Sequence, residues 1–160
     1  MYKRQGGEDG AVSGLLDLNG IPNASPDLAG SALFMDKALT KLFAKALGIR
    51  TAPYFRLGEA EYKKRGAFAL KCAERLGYPV IVKPNRLGSS IGVTVAHTRA
   101  ELALALECAF AYDTAAIAEQ YLPDRREINC AAYRAGGEIV VSACEEPKTR
   151  NAFLTFKDKY

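Results

Sequence analysis

Gly77-Tyr78-Pro79-Val80-Ile81-Val82-Lys83-Pro84-Asn85-Arg86-Leu87-Gly88-Ser89-Ser90-Ile91-Gly92-Val93 decides how the chain is read. Pro79 disfavours helix at Tyr78 and pushes it to extended backbone. Val80, Ile81 and Val82 then read as a buried strand ending on Lys83 and Pro84. Gly88-Ser89-Ser90-Ile91-Gly92, a loop of small residues, opens five residues after the lysine. Glycines let backbone N–H groups approach an anion closely, and serine hydroxyls add donors. A lysine at a strand end can aim its charge at the same anion. The segment reads either as a phosphate clamp or as an ordinary glycine turn between strands. It is not the GxxxxGK[ST] loop, because no GK[ST] occurs, nor the dinucleotide GxGxxG. Ile91, Val93 and Val95 alternate, which predicts a second strand directly after the loop.

Elements can be read outward from there. Upstream, Ser25-Pro26-Asp27 predicts a helix start with Ser25 as cap and Pro26 in the first turn. Asp36 predicts the cap of a second helix, with Leu39, Leu42, Phe43, Ala46 and Leu47 as its apolar face and Gly48 as its left-handed stop. Thr51 to Leu57 reads as a short strand, and Glu59 to Leu76 as a longer helix stopped by Gly77. Downstream, Thr98-Arg99-Ala100-Glu101 is a capping box opening a helix through Phe110. Ala115 to Leu122 is strand-like. Arg126 to Arg134 and Glu138 to Ala143 flank Gly136-Gly137, a two-residue hairpin signal. In that register paired positions sum to 273, whereas Cys130 and Cys144 sum to 274, which sends them to opposite faces and argues against a disulfide. The hairpin and the short connections favour an α+β fold with a largely antiparallel sheet.

Composition bounds the function. A chain of 160 residues fits one domain, and 49% hydrophobic with 25% charged residues suffices for a core. No stretch approaches the ~20 apolar residues that cross a bilayer. The first residues carry no apolar signal-peptide core. A net charge of +4 permits an anionic ligand without calling for nucleic acid. Cys72, Cys108, Cys130 and Cys144 lack zinc-type spacing and read as reduced thiols of a cytoplasmic protein. His97, the sole histidine, reads as surface structure on a strand-to-helix connection.

Three further segments carry candidate chemistry. Ala116 to Leu122 offers strand-edge backbone that can pair with an adenine ring, and Glu127 can accept from ribose hydroxyls. The same Glu119 and Glu127 also read as solvated charges. Lys37 sits in a first helical turn, where most lysines are surface groups. The closing Phe153-Leu154-Thr155-Phe156-Lys157-Asp158-Lys159-Tyr160 has no cap and looks cut rather than finished.

Taken together, these motifs resemble the ATP-grasp superfamily, and within it the D-alanine–D-alanine ligases. The carrying residues are Gly7-Glu8-Asp9-Gly10 with Gly14-Leu15-Leu16-Asp17 and Gly20-Ile21-Pro22; Ser31 to Lys37; Gly77 to Pro84; Leu87 to Val93; Glu119 to Leu122; Arg126 to Ala131; and Lys159-Tyr160. They run in the family's order from Gly6 to Tyr160. Arg126 to Ala131 and Cys144-Glu145-Glu146-Pro147 look most like the branch with vancomycin-resistance ligases of the D-Ala–D-Ser type.

The resemblance implies an ATP-grasp central nucleotide-binding lobe, incomplete, with an antiparallel sheet and flanking helices. Residues 1–30 would be the tail of an N-terminal substrate domain, 31–147 the central domain and 148–160 the start of the C-terminal lobe. Met1 to Gln5 fall outside the likeness and read as non-native. Lys37 and Lys83 would hold ATP phosphates under a mobile loop of Gly88, Ser89 and Ser90. Glu119, Gln120, Tyr121 and Leu122 would read adenine, and Glu127 the ribose. The spacing from Glu119 to Glu127 is one residue longer than the family's pattern. Lys159 would reach the terminal phosphate, Tyr160 would pair with Ser89 near the substrate amine, and Glu8 would lie towards the first substrate.

The implied reaction phosphorylates one D-alanine carboxylate, and a second amine then attacks the acyl phosphate to form a dipeptide for peptidoglycan synthesis. Mg2+ would be held beyond Tyr160, so the 160-residue chain is expected to bind nucleotide but to be inactive alone. The parent is expected to be a cytoplasmic homodimer with no nucleic-acid or membrane partner. Exposed apolar faces and self-association are expected of the chain. Three readings compete: another ATP-grasp carboxylate–amine ligase, a non-catalytic nucleotide-binding module, and a plain structural α+β domain.

Overall fold

The structure, a computed structural model, describes residues 7–147. The chain divides after Tyr121 into two units. In the first, three short helices precede the sheet: α1 (Ala11–Leu18), α2 (Leu28–Met35) and α3 (Lys37–Ala46). They are followed by β1 (Tyr54–Gly58), α4 (Glu59–Glu74), β2 (Val80–Pro84), β3 (Thr94–Ala96), α5 (Arg99–Phe110) and β4 (Ala115–Gln120). The strands form one sheet in the order β1-β4-β2-β3, every neighbour antiparallel. This is the α+β architecture that the hairpin and short connections predict.

Alternation along the strands gives the sheet two different faces. Leu57, Val80, Val82, Ala116 and Ala118 form one core with Ala69 and Ala73 of α4 and Leu102, Ala105, Leu106 and Ala109 of α5. The alanines on both helices let the backbones approach the sheet closely. Each buried leucine or valine contributes about 1.5–3 kcal/mol. Ile81, Lys83, Ile117 and Glu119 occupy the intervening positions of β2 and β4, and this second face holds the charges.

Local signals hold at most boundaries. Asp36 caps α3, its Oδ1 accepting from Leu39 N–H at 2.9 Å. Gly48 follows with φ +72, and Gly77 with φ +77 closes α4. Thr98 Oγ1 accepts from Glu101 N–H, while the Glu101 carboxylate accepts from His97 N–H rather than from Thr98. His97 is exposed between β3 and α5.

Three local expectations need correction. The cap of α2 is Asp27, whose Oδ1 accepts from Gly30 N–H; Ser25 instead bonds Asn23. The strand after the glycine loop begins only at Thr94, because Ile91 and Val93 close turns onto Gly88 and Ser90. Finally, β4 is an interior strand, so the N–H groups of Gln120 and Tyr121 are taken by the Pro53 and Pro79 carbonyls. The apolar face of α3 is exposed at Leu39, Leu42, Phe43 and Leu47, as the expectation of exposed apolar faces has it, and the helix's buried residue is Ala38.

The second unit contains a hairpin of β5 (Ala132–Ala135) and β6 (Glu138–Val141). Its register is the predicted one, with Tyr133 opposite Val140, and Gly136 and Gly137 both take positive φ. Ser142 N–H still bonds Ala131 O in that register, but Asn129 pairs with Glu145, one residue out of step. Ala143 and Cys144 therefore share the place opposite Cys130, a bulge. A uniform register does not reach Cys144, so the face argument drawn from it fails there; the four cysteines are nonetheless free thiols. Among the described residues, no helix is long and apolar enough to cross a membrane.

Candidate functional site

The charged face of the sheet gathers three lysines and one carboxylate. Glu119 projects from β4 and is 8% exposed, so its charge needs partners. Lys83, diagonal to it on β2, lies with Nζ 2.9 Å from Oε2. Lys41 comes from α3, with Nζ 3.7 Å from Oε1. The Lys41 ammonium also donates to Ala52 O at 3.1 Å and stands 5.2 Å above the Tyr54 ring. Burial lowers its pKa, partly offset by Glu119. Lys37 is one turn before Lys41, so α3 presents both ammonium groups on one side.

The Lys37 ammonium donates to Pro84 O at 3.0 Å, Asn85 O at 3.4 Å and Leu87 O at 2.5 Å. Three carbonyls match its three donors. Its pKa is pushed down to about 8, first by burial and then by the charge of Lys83, against the pull of Glu119, Asp113 and Asp36.

Asn85 fixes these lysines relative to each other. It is fully buried. Its Oδ1 accepts from Ala38 N–H at 3.1 Å, its Nδ2 donates to Asp36 Oδ2 at 2.7 Å, and its carbonyl accepts from Lys37 N–H at 3.0 Å. Its own N–H bonds Ala115 O at 2.9 Å. One side chain thus ties the N-terminus of α3, whose first N–H groups have no helical partner, to the end of β2. Next to it, buried Asp113 accepts from Arg86 N–H at 2.7 Å and from Arg86 Nη2 at 3.0 Å. Burial raises the Asp113 pKa, but the hydrogen bonds and charge of Arg86 outweigh it and hold the carboxyl below its usual range.

The glycine loop continues from this anchor. Ser89 and Ser90 take φ +55 and +58, and Gly92 +70. Left-handed backbone costs about 1–2 kcal/mol for a residue with a Cβ. Two such serines in succession mark stored strain of the kind found at ligand clamps. Gly92 is required by space as well, since a Cβ there would stand 2.8 Å from both Pro84 and Tyr112. Glu8 lies against this loop, its Oε2 being 3.7 Å from the place a Gly88 Cβ would occupy.

The structure thus brings together Lys37, Lys83, Glu119 and the stem of the loop at Leu87, with Glu8 beside Gly88. Gln120 and Tyr121 follow Glu119 at the end of β4. Leu122 and Glu127 belong to the second unit, where the Leu122 carbonyl accepts from Arg125 and Glu127 pairs with Arg125 at 3.1 Å. Lys159, Tyr160 and Met1 to Gln5 lie outside the described residues. Sequence reasoning missed Lys41, Asn85, Asp113 and Tyr54. The spacing Lys37/Lys41 on a capped helix was a usable signal. Asn85 left none, because its importance depends on partners 47 to 49 positions away. Among the described residues, no group of three or more His, Cys, Asp or Glu is placed to hold a metal ion. These residues do not fit Mg2+.

The family model described as D-ala D-ala ligase C-terminus matches residues 43–160. A D-alanine–D-alanine ligase of Wolinella succinogenes is 40% identical over 154 residues, covering 96% of this chain and 42% of its own length. One of Thermosipho africanus is 39% identical, with 96% and 41% covered. Among solved structures, the D-alanine–D-alanine ligase of Helicobacter pylori superposes with a TM-score of 0.80 at 37% identity, covering 91% of this chain and 44% of its own. The VanG D-Ala:D-Ser ligase of Enterococcus faecalis gives 0.78 at 34% identity, with 89% and 40% covered. The chain spans about two fifths of the length of the curated relatives it matches. It belongs to the D-alanine–D-alanine ligase family.

Proposed function

We propose that the chain supplies the nucleotide clamp of an ATP-dependent D-alanine–D-alanine, or D-alanine–D-X, ligase. The observation that carries this reading is that Lys41 and Lys83 pair with one buried carboxylate while Lys37 is held on the stem of the adjoining strained glycine-serine loop. Lys37, Lys41, Lys83 and Arg86 outnumber Glu119, Asp113 and Asp36 by one, and this surplus of positive charge in a partly buried place favours a polyphosphate. Lys37 and Lys83 would hold the phosphates, and the backbone and hydroxyls of Gly88, Ser89 and Ser90 would cover them. Adenine would lie beyond the end of β4, on the backbone from Glu119 through Gln120 and Tyr121 to Leu122, since the strand itself has no free edge there. Glu127 would accept from the ribose, and Glu8 would face the first amino acid.

Phosphoryl transfer to a carboxylate needs positioning and charge neutralisation rather than a protein nucleophile. Lysines provide both for the oxygens of the transferred group. Mg2+, Lys159 and Tyr160 complete the proposal at residues outside those described. Residues 1–30, 31–147 and 148–160 would be the tail of the substrate domain, the central lobe and the start of the next lobe. The protein would act in the cytoplasm as a homodimer, with no nucleic-acid or membrane partner. Support for ATP comes from a family relative, a Bacillus anthracis D-alanine–D-alanine ligase solved with ATP, at 31% identity and a TM-score of 0.64, covering 79% of this chain. The test is a comparison of ADP, AMP and adenosine binding to the chain. Affinity that rises with each phosphate is expected; equal affinity for all three, or none, would overturn the phosphate assignment.

A further inference from the structure

We propose that Lys41 is a positioning residue that frees Lys83 for a polyphosphate by sharing Glu119 with it. The proposal rests on the clamp reading above and adds a residue that no motif singled out. Glu119 has two oxygens and two lysines, one on each: Lys83 on Oε2 and Lys41 on Oε1. The carboxylate is nearly buried, so leaving it without a cation is costly. If Lys83 swings its ammonium to a phosphate, Glu119 loses its closest partner. Lys41 then remains as the compensating charge.

Lys41 is built to stay behind. Its ammonium is anchored by the Ala52 carbonyl and by the face of Tyr54, neither of which a ligand needs to displace. Its side chain is 13% exposed against 25% for Lys83, so Lys83 is the more accessible of the two. Without Lys41, Glu119 would have Lys83 as its one ion-pair partner among the described residues and would hold it back from the ligand.

The cycle Lys41→Met, Glu119→Gln and the double variant tests this in the full chain. With ADP as probe, Lys41→Met is expected to weaken binding about fivefold or more, and adenosine binding to be unmoved. In the Glu119→Gln background the same change is expected to alter ADP affinity less than about twofold, because the competing carboxylate charge is gone. An equal loss in both backgrounds, which direct phosphate contact or general damage would give, overturns the proposal. So does no loss in either. Lys41→Gln carries the same expectations should the Met variant fail to fold.

A readout without nucleotide separates this idea from the clamp reading. Acylation of Lys83 by an amine-reactive ester, mapped by mass spectrometry, is expected to slow in Lys41→Met and to recover in the double variant. If labelling follows that pattern and ADP never binds, the clamp reading falls while the charge sharing stands. If ADP binds and labelling of Lys83 ignores Lys41, the sharing falls alone.

Discussion

Asn85 offers the sharpest test of how the two lysine-bearing elements are joined. Asn85→Ala removes an amide that accepts from Ala38 N–H and donates to Asp36. Ala38 is buried, so its N–H loses its partner out of reach of water. An unsatisfied buried group costs about 1–3 kcal/mol, and the small cavity about 1 kcal/mol more. Asp36 is partly exposed and can hydrate, so it adds little. The expected loss is about 2–4 kcal/mol, a fall in Tm of about 5–15 °C for a chain this long.

Asn85→Asp should be at least as damaging, because it sets a carboxylate against Asp36 across a 2.7 Å contact. The exchange Asp36→Asn with Asn85→Asp restores a donor on one side and acceptors on the other. It still leaves an oxygen at position 36 to cap Leu39 N–H. Thermal unfolding of the five proteins (parent, Asn85→Ala, Asn85→Asp, Asp36→Asn and the exchange) by circular dichroism provides the measurement. The exchange is expected to recover most of what Asn85→Asp loses. A double variant no more stable than the sum of its singles, or an Asn85→Ala within about 0.5 kcal/mol of the parent, would refute the reasoning.

Other consequences follow from the same geometry. Lys37 titrates near 8 in the folded chain against 10.5 as an ordinary lysine, so the unfolded chain holds more protons between those values. Stability measured by denaturant should therefore rise with pH across that window, and the rise should shrink in Lys37→Met. Over the same range ADP affinity should fall as pH passes about 8, because the neutral amine no longer attracts phosphate; a flat titration profile from pH 7 to 9 would count against it. Gly92→Ala meets Pro84 and Tyr112 at 2.8 Å and a φ of +70, so a loss of about 1–3 kcal/mol in chemical unfolding is expected. Leu15, Leu18, Phe34, Leu42 and Leu47 are all more than half exposed on α1 to α3, and sedimentation should show concentration-dependent association.

Much of this was legible in the sequence where the governing signal is local. Asp36, Gly48, Gly77 and Thr98 each act on the next few residues, and each stands where local capping rules put it. Gly136-Gly137 fixed its hairpin register for the same reason. The charged face was half legible: Lys83 ends a strand and Glu119 starts the end of another, but only the pairing of Ile81 with Glu119 makes them diagonal neighbours. The apolar face of α3 was legible as helical spacing, which reports amphipathicity and not what covers it. The interior position of β4 and the bulge beside Cys130 were hidden, since strand order and single-residue slips are set by partners distant in sequence.

Lys83 and its neighbours form the proposed phosphate clamp. Calorimetric titration of ADP, and of ATP with magnesium, into the chain and into Lys83→Ala tests it most directly. Binding by the parent and a loss of about tenfold or more in the variant are expected, as for removal of a charged hydrogen-bonding partner. Folded chain by circular dichroism with equal heats for parent and variant would contradict it.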